Sequence, residues 1–193
     1  MTDFLDPRDH MSIPPEAVAN ADKSGGFLLL VPDHAERDNR GVTRWTETIV
    51  IESAKRSEVV GKDDQQNTVF TVKAKVLPTE GTVNAGKTLM LWMRINFGAL
   101  AGRTDTSGKK DAGKQRTMSN MSLKKLNQFA RATGIDLSAG WTPEIFDALF
   151  PLDTALNGES ALDGQNLVVV MIESTRNGKT NQEPESILAV EGM

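Results

Sequence analysis

The chain has 193 residues, 38% of them from the apolar set, with 16 glycines and with 22 basic against 26 acidic side chains for a net charge of −4. That length suits one ordinary domain with a sizeable core. There is no cysteine, and the two histidines, His10 and His34, lie in a polar N-terminal stretch. Disulfide scaffolds, cysteine-ligated metals and thiol nucleophiles are thereby excluded, and a histidine-based triad or metal site has almost nothing to work with. No apolar run approaches the ~18 residues of a membrane span, and the first residues, MTDFLDPRDH, are acidic. A soluble cytoplasmic protein is expected, with no catalytic residues, no metal, no cofactor and no membrane partner.

The whole-chain charge hides an uneven distribution. Residues 1–85 carry 10 basic and 14 acidic side chains, residues 132–193 carry 2 and 10, and residues 86–131 carry 10 and 2. A local net charge of +8 inside an acidic chain reads as an electrostatic footprint for a polyanion, because phosphates respond to local charge.

In chain order, residues 1–42 are rich in Asp, Pro, Asn and Gly and predict a partly extended N-terminal arm, whose apolar island Phe27–Val31 docks on the domain. The domain itself runs over 43–193. Arg44–Ala54 predicts a strand with Trp45, Glu47, Ile49 and Ile51 on one face. Gly61–Asn67 predicts a loop. Thr68–Leu77 alternates, with Phe70, Val72, Ala74 and Val76 on one side and Thr71, Lys73 and Lys75 on the other. A turn begins at Pro78–Gly81, and Thr88–Phe97 predicts a third strand, in which Leu89, Leu91, Met93, Ile95 and Phe97 alternate with Met90, Trp92, Arg94 and Asn96.

Gly98 to Thr117 has no large apolar residue after Leu100 and predicts a basic loop over 98–118, a length that is usually functional or disordered. A helical segment over 119–150 follows. Its first helix spans Asn120–Thr133, with Leu123, Leu126, Phe129 and Ala130 as the apolar stripe and Gly134 as the stop. Its second starts from the cap Thr142-Pro143-Glu144 and ends at Pro151. Gln165–Ser174 predicts a buried strand, Arg176–Lys179 a hairpin turn, and Ser186–Val190 the closing strand.

Gly81-Thr-Val-Asn-Ala-Gly86-Lys87-Thr88 fits the phosphate-loop pattern G-x-x-x-x-G-K-[ST]. That chemistry requires a helix starting at the lysine, with its N-terminus aimed at the phosphates. The following residues, TLMLWMRINF, have period 2 instead, so Lys87 is expected at the tip of a hairpin. The carboxylates form no pattern: Asp63-Asp64 sit in a polar loop, and Glu47 and Glu52 fall on opposite faces of one strand.

The polar faces of the two middle strands are more informative. Thr71, Lys73 and Lys75 on one and Met90, Trp92, Arg94 and Asn96 on the other combine cations for phosphates with an aromatic ring that can stack a base. With the hairpin and loop cations, the expected binding residues are Lys73, Lys75, Lys87, Trp92, Arg94, Arg103, Lys109, Lys110, Lys114 and Arg116. The competing expectation places Trp92 in the core.

VFTVKAKVL, GKTLMLWMRINFGAL, the helix LKKLNQFARATGI, then LDGQNLVVVMIES and the hairpin into ESILAV follow one another in an order and spacing that resembles phage-encoded single-stranded-DNA-binding proteins with an OB-fold, over about residues 44–191. The resemblance implies a mainly β fold with a helical insertion: a five-stranded OB-type barrel with helices between the third and fourth strands. It implies sequence-independent binding of single-stranded DNA in replication or recombination, without catalysis. Replication or recombination proteins and a second copy of the chain are the partners it leaves open. Two departures stand out: the loop over 102–117 is longer than the pattern, and the C-terminus EPESILAVEGM lacks an acidic, aromatic-tipped tail. The alternatives are a barrel-based assembly protein whose basic loop meets a protein partner, and a nucleotide-binding protein built on Gly81–Thr88.

Overall fold

The computed structural model describes residues 29–60, 66–100, 112–154, 158–176 and 178–190. Among them, six strands and three helices follow in the order β1 (Glu36–Arg37), β2 (Thr43–Val60), β3 (Gln66–Val76), β4 (Thr88–Ile95), α1 (Phe97–Leu100), α2 (Ala112–Ala132), α3 (Pro143–Leu149), β5 (Asn166–Arg176) and β6 (Lys179–Ala189). All strand pairings are antiparallel, in the order β4-β3-β2-β5-β6, with β1 beside the start of β2. The long β2 is therefore the spine: its first half pairs with β5 and its second half with β3.

Alternation decides which side of this sheet is core. Trp45, Glu47, Ile49 and Ile51 of β2 are buried, as are Phe70, Val72, Ala74 and Val76 of β3 and Leu89, Leu91, Met93 and Ile95 of β4. A bulge between Ile51 and Ser53 shifts the pairing of β2, and Ala54 takes over the inward face beyond it. Phe70, Phe129 and Phe150 knit the sheet to α2 and to the end of α3, with ring centroids 5.3 Å apart for Phe70–Phe150 and 6.2 Å for Phe129–Phe150, both edge to face. Each ring is fully buried, and truncating one such aromatic costs ~3–5 kcal/mol.

The helix ends follow local chemistry. Gly134 has φ +77°; its N–H donates to the Arg131 carbonyl and that of Ile135 to Ala130, the paired bonds of a Schellman stop. Thr142 caps α3, its hydroxyl accepting from Ile145 N, with Pro143 in the first turn. Arg56 then anchors α3 to β2 through the Phe150 carbonyl at 2.7 Å and the Asp147 carboxylate at 2.6 Å.

Several expectations are corrected. The helix expected from Asn120 begins at Ala112, and the strand expected to reach Phe97 stops at Ile95, with Phe97 opening α1. Both ends of the expected loop over 98–118 are therefore helical, and residues 101–111 lie outside the described residues. Gln66 and Asn67 belong to β3 instead of the preceding loop, and the closing strand starts at Lys179, seven residues before Ser186. β6 is polar over its first half, and its Pro184 sits at a bulge opposite Val170 and Met171, where the missing amide is tolerated.

No ladder joins β4 to β6 among the described residues, so the sheet is open. Two other devices span the gap between these edges. Near the start of β4, the backbone N–H and carbonyl of Leu30 exchange hydrogen bonds with the Asn84 side chain, and those of Leu29 with the Gln182 side chain of β6. At the end of β4, Ser122 and Ser119 of α2 accept the N–H groups of Arg94 and Asn96 at 3.2 and 3.0 Å. Lys125 of the same helix pairs with Glu183 of β6 at 3.0 Å. The arm's last residues and α2 thus do what a strand ladder does in a closed sheet.

Candidate nucleic-acid interface

The register of β3 and β4 sets Thr71 opposite Trp92, Lys73 opposite Met90, Lys75 opposite Thr88 and Val69 opposite Arg94. These side chains share the face turned away from the core. Trp92 is 50% exposed, whereas Trp45 is 3% exposed and buried under the sheet. The third tryptophan, Trp141, is half-buried, stacked on Phe146 at 4.6 Å, and its indole N–H donates to Asn127. The competing expectation of a core Trp92 is thus corrected: the indole faces solvent, because odd-numbered residues of β4 already fill the inward row.

Lys73, Lys75 and Arg94 are exposed around this ring. Lys73 is engaged: its ammonium lies 2.8 Å from the Glu52 carboxylate of β2. That hydrogen bond, followed by the charges of Lys73 and Lys75, holds the Glu52 carboxyl below the usual range. Glu52 therefore competes for a cation that a phosphate would use.

The remaining expected residues are scattered. Lys87 is half-buried in the β3–β4 turn, with its N–H on the Asn84 carbonyl and its own carbonyl accepting from Val76. A strand begins at Thr88 where a phosphate loop needs a helix. The side chain of Asn84, inside that loop, is spent on Leu30 and on the buried Glu47 carboxylate, which also takes the Trp45 indole N–H and the Thr82 hydroxyl. Lys114 and Arg116 are exposed on the first turns of α2, not on a loop; two residues apart on a helix, they point to opposite sides. Arg103, Lys109 and Lys110 lie outside the described residues. Among the described residues, no three His, Cys, Asp or Glu side chains converge on a metal-sized site, and no helix is long and apolar enough to cross a membrane.

The structure adds Met118, Met121 and Lys125, which sequence reasoning passed over, to the expected Lys114. These four recur at i, i+4, i+7 and i+11, one stripe of α2. Lys125 lines a cleft with Trp92, and Ser122, beside Met121 and one turn from Met118, is bonded to Arg94. Met118 and Met121 are more than half exposed, and Phe97 nearly so. The stripe therefore continues the Trp92–Arg94 row. The signal was the 3.6-residue period, which becomes visible once the helix is started at Ala112. Against known proteins, no family model matches the chain and no curated protein is significantly similar to it.

Proposed function

We propose that the chain binds single-stranded DNA without reading its sequence, on an OB-type fold, in phage-type replication or recombination. The observation that carries the reading is the exposed Trp92 between Arg94, Lys73 and Lys75. A ring half out of water on a regular strand gains by stacking a base, and the cations beside it neutralise the flanking phosphates. The strand order supports the OB-type frame: a long first strand pairs with both neighbours, and a helix lies between the third and fourth long strands and covers one end of the gap. The role involves no catalytic step and belongs in the cytoplasm.

Tryptophan fluorescence tests it. Oligothymidylate should quench Trp92, with log K falling by ~0.7 per phosphate neutralised for each unit of log salt. Equal affinity for duplex and single strand, or binding indifferent to salt, overturns the proposal.

A further inference from the structure

We propose that the cleft between β4 and β6 is a slot for one nucleobase of the bound strand, an inference that rests on the single-stranded-DNA reading above. The cleft encloses about 180 Å³, below the ~300–1,000 Å³ of pockets that take drug-sized ligands. Met90 and Trp92 of β4 and Pro184 of β6 line it, with Asn181, Glu183 and Lys125 among its polar side chains. A lining that mixes apolar side chains with polar groups suits a heterocyclic base.

The hydrogen-bonding wall is backbone. Arg94 and Asn96 donate their N–H groups to α2, away from β3. The β3–β4 ladder keeps one register from Thr68↔Ile95 to Lys75↔Thr88. By antiparallel alternation, the N–H and carbonyl of Trp92 and of Met90 also point away from β3, toward the cleft. A donor and an acceptor side by side can satisfy the edge of any of the four bases, which fits binding without sequence preference. An added peptide strand fits less well, because Ser119 and Ser122 already occupy the last part of the β4 edge. Lys125 also lines the cleft, where Glu183 competes for it as Glu52 does for Lys73.

Two measurements test the slot. Wild type and Asn181→Trp, which introduces a ring from the β6 side, are titrated with a twelve-nucleotide oligothymidylate and with an abasic oligomer of equal length. Filling the slot should reduce the preference for the thymidylate by roughly 5- to 150-fold, the worth of one lost stack, and leave abasic binding unchanged. Wild-type protein is also photo-crosslinked to the same oligomer carrying 5-iodouracil. Adducts on Lys125 or Gln182, half-buried side chains of the cleft lining, support the slot; adducts confined to Trp92, Lys73 and Lys75 overturn it, and this readout decides even if Asn181→Trp fails to fold. If thymidylate binds and the variant behaves as wild type, the slot is refuted and the single-stranded-DNA reading stands. If neither oligomer binds wild type, the single-stranded-DNA reading itself fails.

Discussion

Replacing Trp92 by alanine separates stacking from charge and surface from core in one variant. The indole is 50% exposed, and solvent can fill the space it leaves, so no sealed cavity forms. The truncation should therefore cost the fold ~1–2 kcal/mol, well under the ~3–5 kcal/mol of a fully buried aromatic. Binding should fall by ~1–3 kcal/mol, roughly 5- to 150-fold, through the loss of one stacked base. Fluorescence anisotropy of a labelled oligothymidylate gives the affinity, and thermal melting of the same sample gives the stability. Intrinsic emission supplies a check: Trp45 is buried and Trp141 is stacked on Phe146, so the quench seen in wild type should vanish with Trp92. The salt slope should stay unchanged, because no phosphate contact has been removed. A variant that melts like wild type and binds like wild type would refute stacking at this face.

Glu52→Gln should release Lys73 and tighten single-strand binding a few-fold at low salt, steepening the salt slope by ~0.7; an unchanged slope would show that Lys73 does not reach phosphate. Because the Glu52 carboxyl is held below its usual range, it is ionised at neutral pH. Wild-type binding should therefore approach that of Glu52→Gln only as pH falls through that lowered value. Lys114→Gln, on the Met118–Met121 stripe, should flatten the slope by ~0.7, whereas Arg116→Gln should leave it nearly unchanged; equal effects would refute the stripe as the strand's path. Lys87→Ala should weaken DNA binding by no more than one phosphate contact, and wild type should show no saturable ATP binding by calorimetry; ATP binding lost in that variant would restore the phosphate-loop reading.

The parts legible in the sequence are those whose signal is local. Period-2 alternation marks β3 and β4 because one face of each is fully buried. The Gly134 stop, the Thr142 cap and the turn at Gly178 each depend on a few adjacent residues. The start of α2 is obscured because Gly113 is a weak helix former and residues 112–117 carry no large apolar side chain to show the helical period, so its first two turns read as loop. The first half of β6 is obscured because KTNQEPES is polar and carries a proline that is tolerated only through a bulge. Trp92 and its cations were legible as a face, but Glu52 as a competitor for Lys73 was not. Its position depends on the register between β2 and β3, set by a bulge that the sequence does not announce. Asn84 is the clearest case of a hidden role: inside a phosphate-loop pattern, its amide serves Leu30 and the buried Glu47.

The open edge of β4 poses the question of what keeps it from pairing with another chain, and the two serines of α2 supply a testable answer. Ser119 is buried and its hydroxyl accepts the Asn96 N–H; Ser122 is half-buried and accepts from Arg94. Ser119→Ala removes a buried acceptor that water cannot readily replace, at ~1–3 kcal/mol, whereas solvent can reach the site of Ser122→Ala, which should cost ~1 kcal/mol or less. At ~2–4 °C per kcal/mol for a chain of this size, Ser119→Ala should lower the melting temperature by several degrees and Ser122→Ala by few or none. Amide exchange at Asn96 should accelerate in the first variant and at Arg94 in the second. The double variant loses both acceptors on an exposed strand edge and should self-associate on heating, since unpaired edge amides template further pairing. A Ser119→Ala protein with wild-type melting and wild-type protection at Asn96 would mean that α2 holds the sheet through Leu126, Phe129 and Ala130 alone, and that the serine contacts are incidental to closing the gap.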